Sequence, residues 1–127
     1  MKTTFLLLSA FSAIPGIAVS ADAERGAELF KKQCSACHVA SEPKNKVGPH
    51  LQGIVGRKVA SVEGFRYSKA MQEFAADGKV WEAEKLQQFL RKPRDLVKGT
   101  SMGFAGVKDD SSVGDIVEYL KTLQPHQ

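Results

Sequence analysis

The chain has 127 residues, 43% of them hydrophobic and 25% charged, with a formal net charge of +4. That length gives room for one domain, and a basic surplus this small does not imply a nucleic-acid binder, which usually needs a concentrated basic face. Only two cysteines are present, three positions apart. A bridge between them closes a tiny loop and restrains almost nothing, which argues against a disulfide-built fold.

Lys2 is followed by Phe5 to Leu8, Ala10, Phe11 and the stretch from Ile14 to Val19, and then by Ser20, Ala21 and Ala23. A positive start, an apolar middle and small residues at the end make a cleavable secretory leader. The apolar part, about 15 residues, is shorter than the ~20 that a membrane-crossing helix needs, and Pro15-Gly16 would break such a helix. Residues 1–20 are expected to be removed, with a cut after Ser20, Ala21 or Ala23, leaving residues 21–127 as one domain exported to the periplasm. No cysteine lies near the cut, so no lipid anchor is expected. Loss of Lys2 leaves 17 basic against 14 acidic residues.

Four helices are expected in the remaining chain, and no convincing strand. Ala23, Ala27 and Phe30 share one helical face behind the cap candidate Asp22, with Gly26 placed for close approach by another helix. A short helix carries Met71, Phe74 and Ala75 behind Ser68. Leu86, Phe89 and Leu90 mark a third, which Pro93 stops. Val113, Ile116, Val117, Leu120 and Leu123 form the stripe of the last, for which Ser112 and Asp115 resemble a capping box. Between these lie two long loops, residues 39–66, punctuated by Pro43, Gly48-Pro49, Gly53, Gly56 and Gly64, and a glycine-rich one from Lys98 to Asp109. Loops of that length in a compact domain usually have a task.

Cys34-Ser35-Ala36-Cys37-His38 is the C-x-x-C-H pattern of covalent haem attachment. Cysteines one helical turn apart present both sulfurs to one edge of a flat macrocycle, where they add to its vinyl groups as thioethers. His38 then reaches the iron from one face. A chain of about 105 residues with 8% aromatics has a modest core of its own, and a buried haem would complete it. A thioredoxin-like reading needs a βαβ pattern that is missing. A zinc reading needs four ligands, which His50 and His126 are poorly placed to complete. For the sixth iron ligand, Met1 leaves with the leader and Met71 sits on an apolar stripe as core. Met102 lies in a loop with no periodicity to explain a buried methionine, and is expected to be the axial ligand. Its soft, neutral thioether favours ferrous iron and raises the potential.

From Gly26 to Leu120 the chain resembles the class I cytochromes c, the group of mitochondrial cytochrome c and its periplasmic bacterial relatives. Gly26 and Phe30 match the family's first-helix pair, Ile116 and Tyr119 the last-helix residues that they cross. Gly99-Thr100-x-Met102-x-Phe104-Ala105-Gly106 matches the family's methionine-ligand loop. The resemblance implies an all-α fold, about four helices and long loops wrapped around one haem c. It also implies that the Pro49 carbonyl accepts a hydrogen bond from His38, and that Arg57, Tyr67, Trp81 and Thr100 are donors around the haem propionates. The chain departs from the family pattern at Lys98 (commonly proline), Ser101 (commonly lysine), Phe89 (often a tyrosine bonded to the ligand sulfur), Met71 (often asparagine) and His50 (asparagine). Loss of two polar groups near the iron should alter the potential. His50 is otherwise expected to be a surface residue and His126 part of the tail.

The implied function is that of a soluble, monomeric electron carrier cycling between Fe(II) and Fe(III), not an enzyme. A haem peroxidase or gas sensor would need an open sixth position and a distal acid or base. A dedicated subunit of one dehydrogenase would share the chemistry without the diffusion. The implied partners are a membrane cytochrome bc complex, a terminal oxidase, a photosynthetic reaction centre or a periplasmic dehydrogenase. Lys32, Lys46, Lys92 and Lys98 around the haem edge would steer the encounter.

Overall fold

The computed structural model describes Ala10, residues 12–14 and residues 21–125. The leader expected over residues 1–20 falls mainly outside them, as does His126. The elements are helices α1 (Ala23–Gln33), α2 (Lys69–Ala75), α3 (Ala83–Arg91), α4 (Pro93–Leu96) and α5 (Asp110–Lys121), with a 3-10 turn over Ala76–Gly78. Among the described residues the only β pairing is an isolated antiparallel bridge between Lys58 and Val80.

α1 starts where its cap dictates. The Asp22 carboxylate accepts from the amides of Glu24 and Arg25 at 2.9 and 3.2 Å, satisfying donors that the first turn leaves free. Glu24 in the first turn and Lys31 and Lys32 in the last complement the helix dipole. Its buried face carries Gly26 and Phe30. There α1 crosses α5 so closely that a Cβ on Gly26 would run into the Asp115 carbonyl. The Phe30 and Tyr119 rings meet beside the crossing, 5.6 Å between centroids and tilted by 56°, and Val113 and Ile116 are wholly buried beneath it.

The start of α5 differs from the expected capping box. Its cap is Asp109, which accepts from the Ser112 amide at 3.0 Å and from the hydroxyls of Ser111 and Ser112. These bonds hold its carboxyl below the usual carboxylate range, the Ser111 hydroxyl most of all. The helix therefore begins three residues before its apolar stripe. Asp115, the other half of the expected box, is 4% exposed and accepts instead from the backbone amide of Asp22 at 2.8 Å.

Pro93 stops α3 and also opens a further helix. It is the first residue of the single-turn α4, a position where the missing N–H costs nothing, so five α-helices stand where four were expected. Ser68 caps α2 through the Met71 amide at 3.1 Å. The loop from 39 to 66 contains no helix, and its second half is tied to the segment before α3 by Val59 N–H to the Lys79 carbonyl (2.9 Å) and Trp81 N–H to the Arg57 carbonyl (2.8 Å). Helices α3 and α5, this loop and the loop after Lys98 together leave one large apolar hollow.

Candidate functional site

The hollow contains about 1080 Å³ of space free of protein atoms, part of it open to solvent. Its wall includes Cys34, Cys37 and His38 from the turn after α1, Pro49 and Arg57 from the first long loop, Tyr67 and Met71 at α2, Trp81, Phe89 from α3, and Thr100 and Met102 from the second loop. Residues spread through the chain by sequence thus converge on one space.

The cysteine turn continues off the end of α1. Cys34 N–H donates to the Phe30 carbonyl at 2.8 Å, and Cys37 and His38 N–H to the Cys34 carbonyl at 3.1 and 3.0 Å. One further turn of helix-like backbone therefore sets both thiols and the imidazole on the cavity wall. Cys34 is half-buried and Cys37 exposed. Burial, and then the neighbouring Cys37, push the Cys34 thiol up to about 11.

His38 Nδ1 lies 2.7 Å from the Pro49 carbonyl oxygen. A carbonyl only accepts, so Nδ1 carries the proton and Nε2 holds a free lone pair, the tautomer that a metal ligand needs. Burial lowers the tendency of the ring to take a second proton; the bond to Pro49 opposes this shift, and the Arg57 charge adds to it. Gly48 makes the arrangement sterically feasible, because a Cβ there would fall inside the imidazole. Its amide also donates to the Cys37 carbonyl at 2.9 Å, clamping the loop over the ligand turn.

Met102 is held by its own loop. The Thr100 amide donates to the Val97 carbonyl (3.1 Å), the Val107 amide to the Leu90 carbonyl (2.8 Å), and the Met102 amide to the Thr100 hydroxyl (3.2 Å). Thr100 thus shapes the turn that carries Met102 as well as lining the cavity. Gly106, at φ +120°, lies so close to the Arg91 carbonyl that a Cβ would collide with it, which lets this loop lie tight against the end of α3.

The remaining candidates hold the floor and mouth. Arg57 donates from its two terminal nitrogens to the carbonyls of Gln52 (3.1 Å) and His50 (3.0 Å), while its buried Nε has no partner. The Tyr67 hydroxyl accepts from the Val62 amide at 3.0 Å. Trp81 is 5% exposed, with Phe74 and Phe89 ring centroids at 5.8 and 5.2 Å. His50 is not the surface residue expected. It is partly buried, its amide donates to Asn45 (2.9 Å) and its Nδ1 is without a partner. Lys32, Lys46, Lys92 and Lys98 are all exposed.

A haem fits these residues. The hollow is large, lined mostly by apolar groups and edged by two thiols. It offers one imidazole with a free lone pair and one thioether, and an orphaned guanidinium nitrogen that suits an anionic propionate. No cluster of three or more His, Cys, Asp or Glu able to hold an ion unaided occurs among the described residues.

Residues 23–124 match the family model described as Cytochrome c. The chain belongs to the cytochrome c family. It is 48% identical over 100 residues to cytochrome c-550 of Ancylobacter novellus, covering 78% of this chain and 92% of the relative. It is 43% identical over 103 residues to cytochrome c of Euglena viridis, covering 81% of this chain and 98% of that protein. Among solved structures, cytochrome cH from Methylobacterium extorquens superposes with a TM-score of 0.72 at 40% identity, over 80% of this chain and 99% of that one. As a cytochrome c, the chain carries one covalently bound haem c and is an all-α, single-haem electron carrier working between redox partners. The expected fold class, cofactor and electron-transfer chemistry are all met.

Proposed function

We propose that this cytochrome c is exported to the periplasm and diffuses there as a monomer between redox proteins, with its iron closed by His38 and Met102. The observation that carries this reading is the meeting of a neutral, Nδ1-tethered imidazole and a loop-held thioether on one cavity. The haem supplies a single electron held or released as Fe(II)/Fe(III). Cys34 and Cys37 fix it to the end of α1, and Pro49 and Gly48 keep the His38 ring from turning. The loop between Lys98 and Asp109 presents Met102, and the orphaned Arg57 nitrogen binds a propionate. Ligands held in this way would change little in position with the charge of a bound iron, and the apolar wall of Trp81, Phe89 and Met71 would keep water away.

A carrier is favoured over a peroxidase or gas sensor by the same wall: among the described residues, no Asp, no Glu and no second His lines the cavity to serve as a distal acid or base. Partners are a membrane cytochrome bc complex, a terminal oxidase, a photosynthetic reaction centre or a periplasmic dehydrogenase. Docking uses the cavity mouth, where Val47 is 80% exposed. The exposed Lys32, Lys46, Lys92 and Lys98, none of them in an ion pair among the described residues, steer acidic partners there, over the small interface that suits brief encounters. The visible spectrum tests this. A weak near-red band from sulfur to ferric iron and indifference to carbon monoxide are expected, whereas ready binding of the gas would support the sensor or peroxidase.

A further inference from the structure

Asp115 is the only charged residue among those buried in the described chain, and the haem cavity makes no use of it. Its Oδ1 accepts from the Asp22 amide at 2.8 Å, while its Oδ2 has no hydrogen-bond partner. The nearest cation, Arg25 Nε, is 3.5 Å from Oδ2, but that side chain is 55% exposed and its attraction is screened by solvent. A carboxylate so placed is short of positive donors. At this point the chain also leaves the expected leader. The Ala21 Cβ lies 3.8 Å from where a side chain on Gly114 would begin, so Ala21 is seated on α5 next to Asp115. Successive backbone nitrogens lie no farther apart than about the 3.8 Å spacing of successive Cα atoms, which puts the Ala21 nitrogen within about 7 Å of the carboxylate.

We propose that the leader is cut at the Ser20–Ala21 bond and that the α-ammonium so created on Ala21 docks against the buried Asp115 carboxylate, fastening the new terminus to α5. This rests on the export reading above. The step is a hydrolysis performed by an endopeptidase of the export route. Water adds across the amide, its oxygen stays on the Ser20 carboxylate, and the Ala21 nitrogen leaves as an amine that holds an extra proton at neutral pH. Ala18 and Ser20 supply the small residues before the cut.

The small residues Ala21 and Ala23 suit a cut after Ala23 equally well in sequence terms. A start at Glu24, however, deletes Asp22, and with it both the cap of α1 and the amide bonded to Asp115, leaving a buried carboxylate stranded. A start at Asp22 would put the ammonium directly on Asp115 Oδ1, 2.8 Å away, but it places that charge on the cap residue itself, at the positive end of α1 where a cation is disfavoured, and it removes Ala21 from beside Gly114. An uncut chain leaves a neutral amide beside Asp115.

Intact mass and N-terminal sequencing of the holoprotein, expressed with its own leader, test the cut. A start at Ala21 is expected. A start at Asp22 or Glu24 overturns the inference and leaves export standing, whereas a chain still beginning at Met1 overturns both. Titration of the α-amino group by NMR tests the docking. Its midpoint should lie above the ordinary range of about 7.7–8.0 and fall by about one unit in Asp115→Asn, a tenfold change in the charged-to-neutral ratio. Equal midpoints would overturn the docking. If Asp115→Asn does not fold, Arg25→Ala serves instead: removing the competing guanidinium should raise the midpoint, and an unchanged one would contradict the proposal.

Discussion

His38 is kept neutral by its surroundings, and this sets a pH dependence with a definite sign. Burial lowers its proton affinity in the folded chain, the Arg57 charge adds to this, and the Pro49 bond opposes both. The unfolded ring, with an ordinary value near 6.5, therefore binds its proton at higher pH than the folded one. Stability from this group is fully present above about pH 6.5 and is lost as the pH falls through the folded value. Denaturant midpoints should hold between pH 7 and 8 and decline below 6.5; a midpoint rising on acidification would contradict the neutral-ligand assignment. Met102→Ala should abolish the near-red band, admit carbon monoxide and lower the potential by roughly 0.1–0.3 V, a fraction of the ~0.8 V that axial ligands span. An unchanged spectrum and potential would remove Met102 from the iron. That Cys34, Cys37, His38 and Met102 meet on one cavity was legible at this scale because a short motif and an aperiodic loop mark them. The environment of His50 was not, because the folding of its own loop, through Asn45 and Arg57, rather than any periodicity sets how far it turns inward.

The pairing of α1 with α5 is the helix contact on which the ligand turn depends, since that turn continues directly from α1. Gly26→Val would push a branched side chain into the Asp115 carbonyl and the Tyr119 Cβ. Overpacking against backbone of this kind should cost on the order of 3 kcal/mol, read as a lower denaturant midpoint with little change in the spectrum of the protein that remains folded. Ser68→Ala removes the cap of α2 and should cost about 1 kcal/mol. Because α2 carries Met71 on the cavity wall, a small shift in potential should accompany it. The helices of this bundle were readable from apolar periodicity and local caps, as Asp22 and Ser68 illustrate. The start of α5 was misjudged because Ser112 and Asp115 mimic a capping box in sequence. Only the tertiary contact to Asp22 shows that Asp115 turns inward, an ionisable residue amid an apolar stripe being the signal to weigh. Pro93 was likewise read as a stop, although the residue type that ends one helix is equally suited to open the next.

For the whole molecule, the cavity that fits the haem is cut into the core itself. Trp81, Leu86, Phe89, Leu90 and Leu120 all line the cavity and are each 8% exposed or less in the folded chain. At roughly 1.5–3 kcal/mol per large apolar side chain, unsettling five of them puts about 10 kcal/mol at stake, comparable to the whole 5–15 kcal/mol stability of a domain. A Cys34→Ser, Cys37→Ser double variant without haem should therefore lose most of its helical far-UV signal, and full retention of that signal would show that the polypeptide folds alone. The most direct test of the account is the mass of the mature protein after denaturation and thiol alkylation. One haem added to the polypeptide, with neither Cys34 nor Cys37 alkylated, is the expected result; the bare polypeptide mass with two alkylated thiols would contradict it.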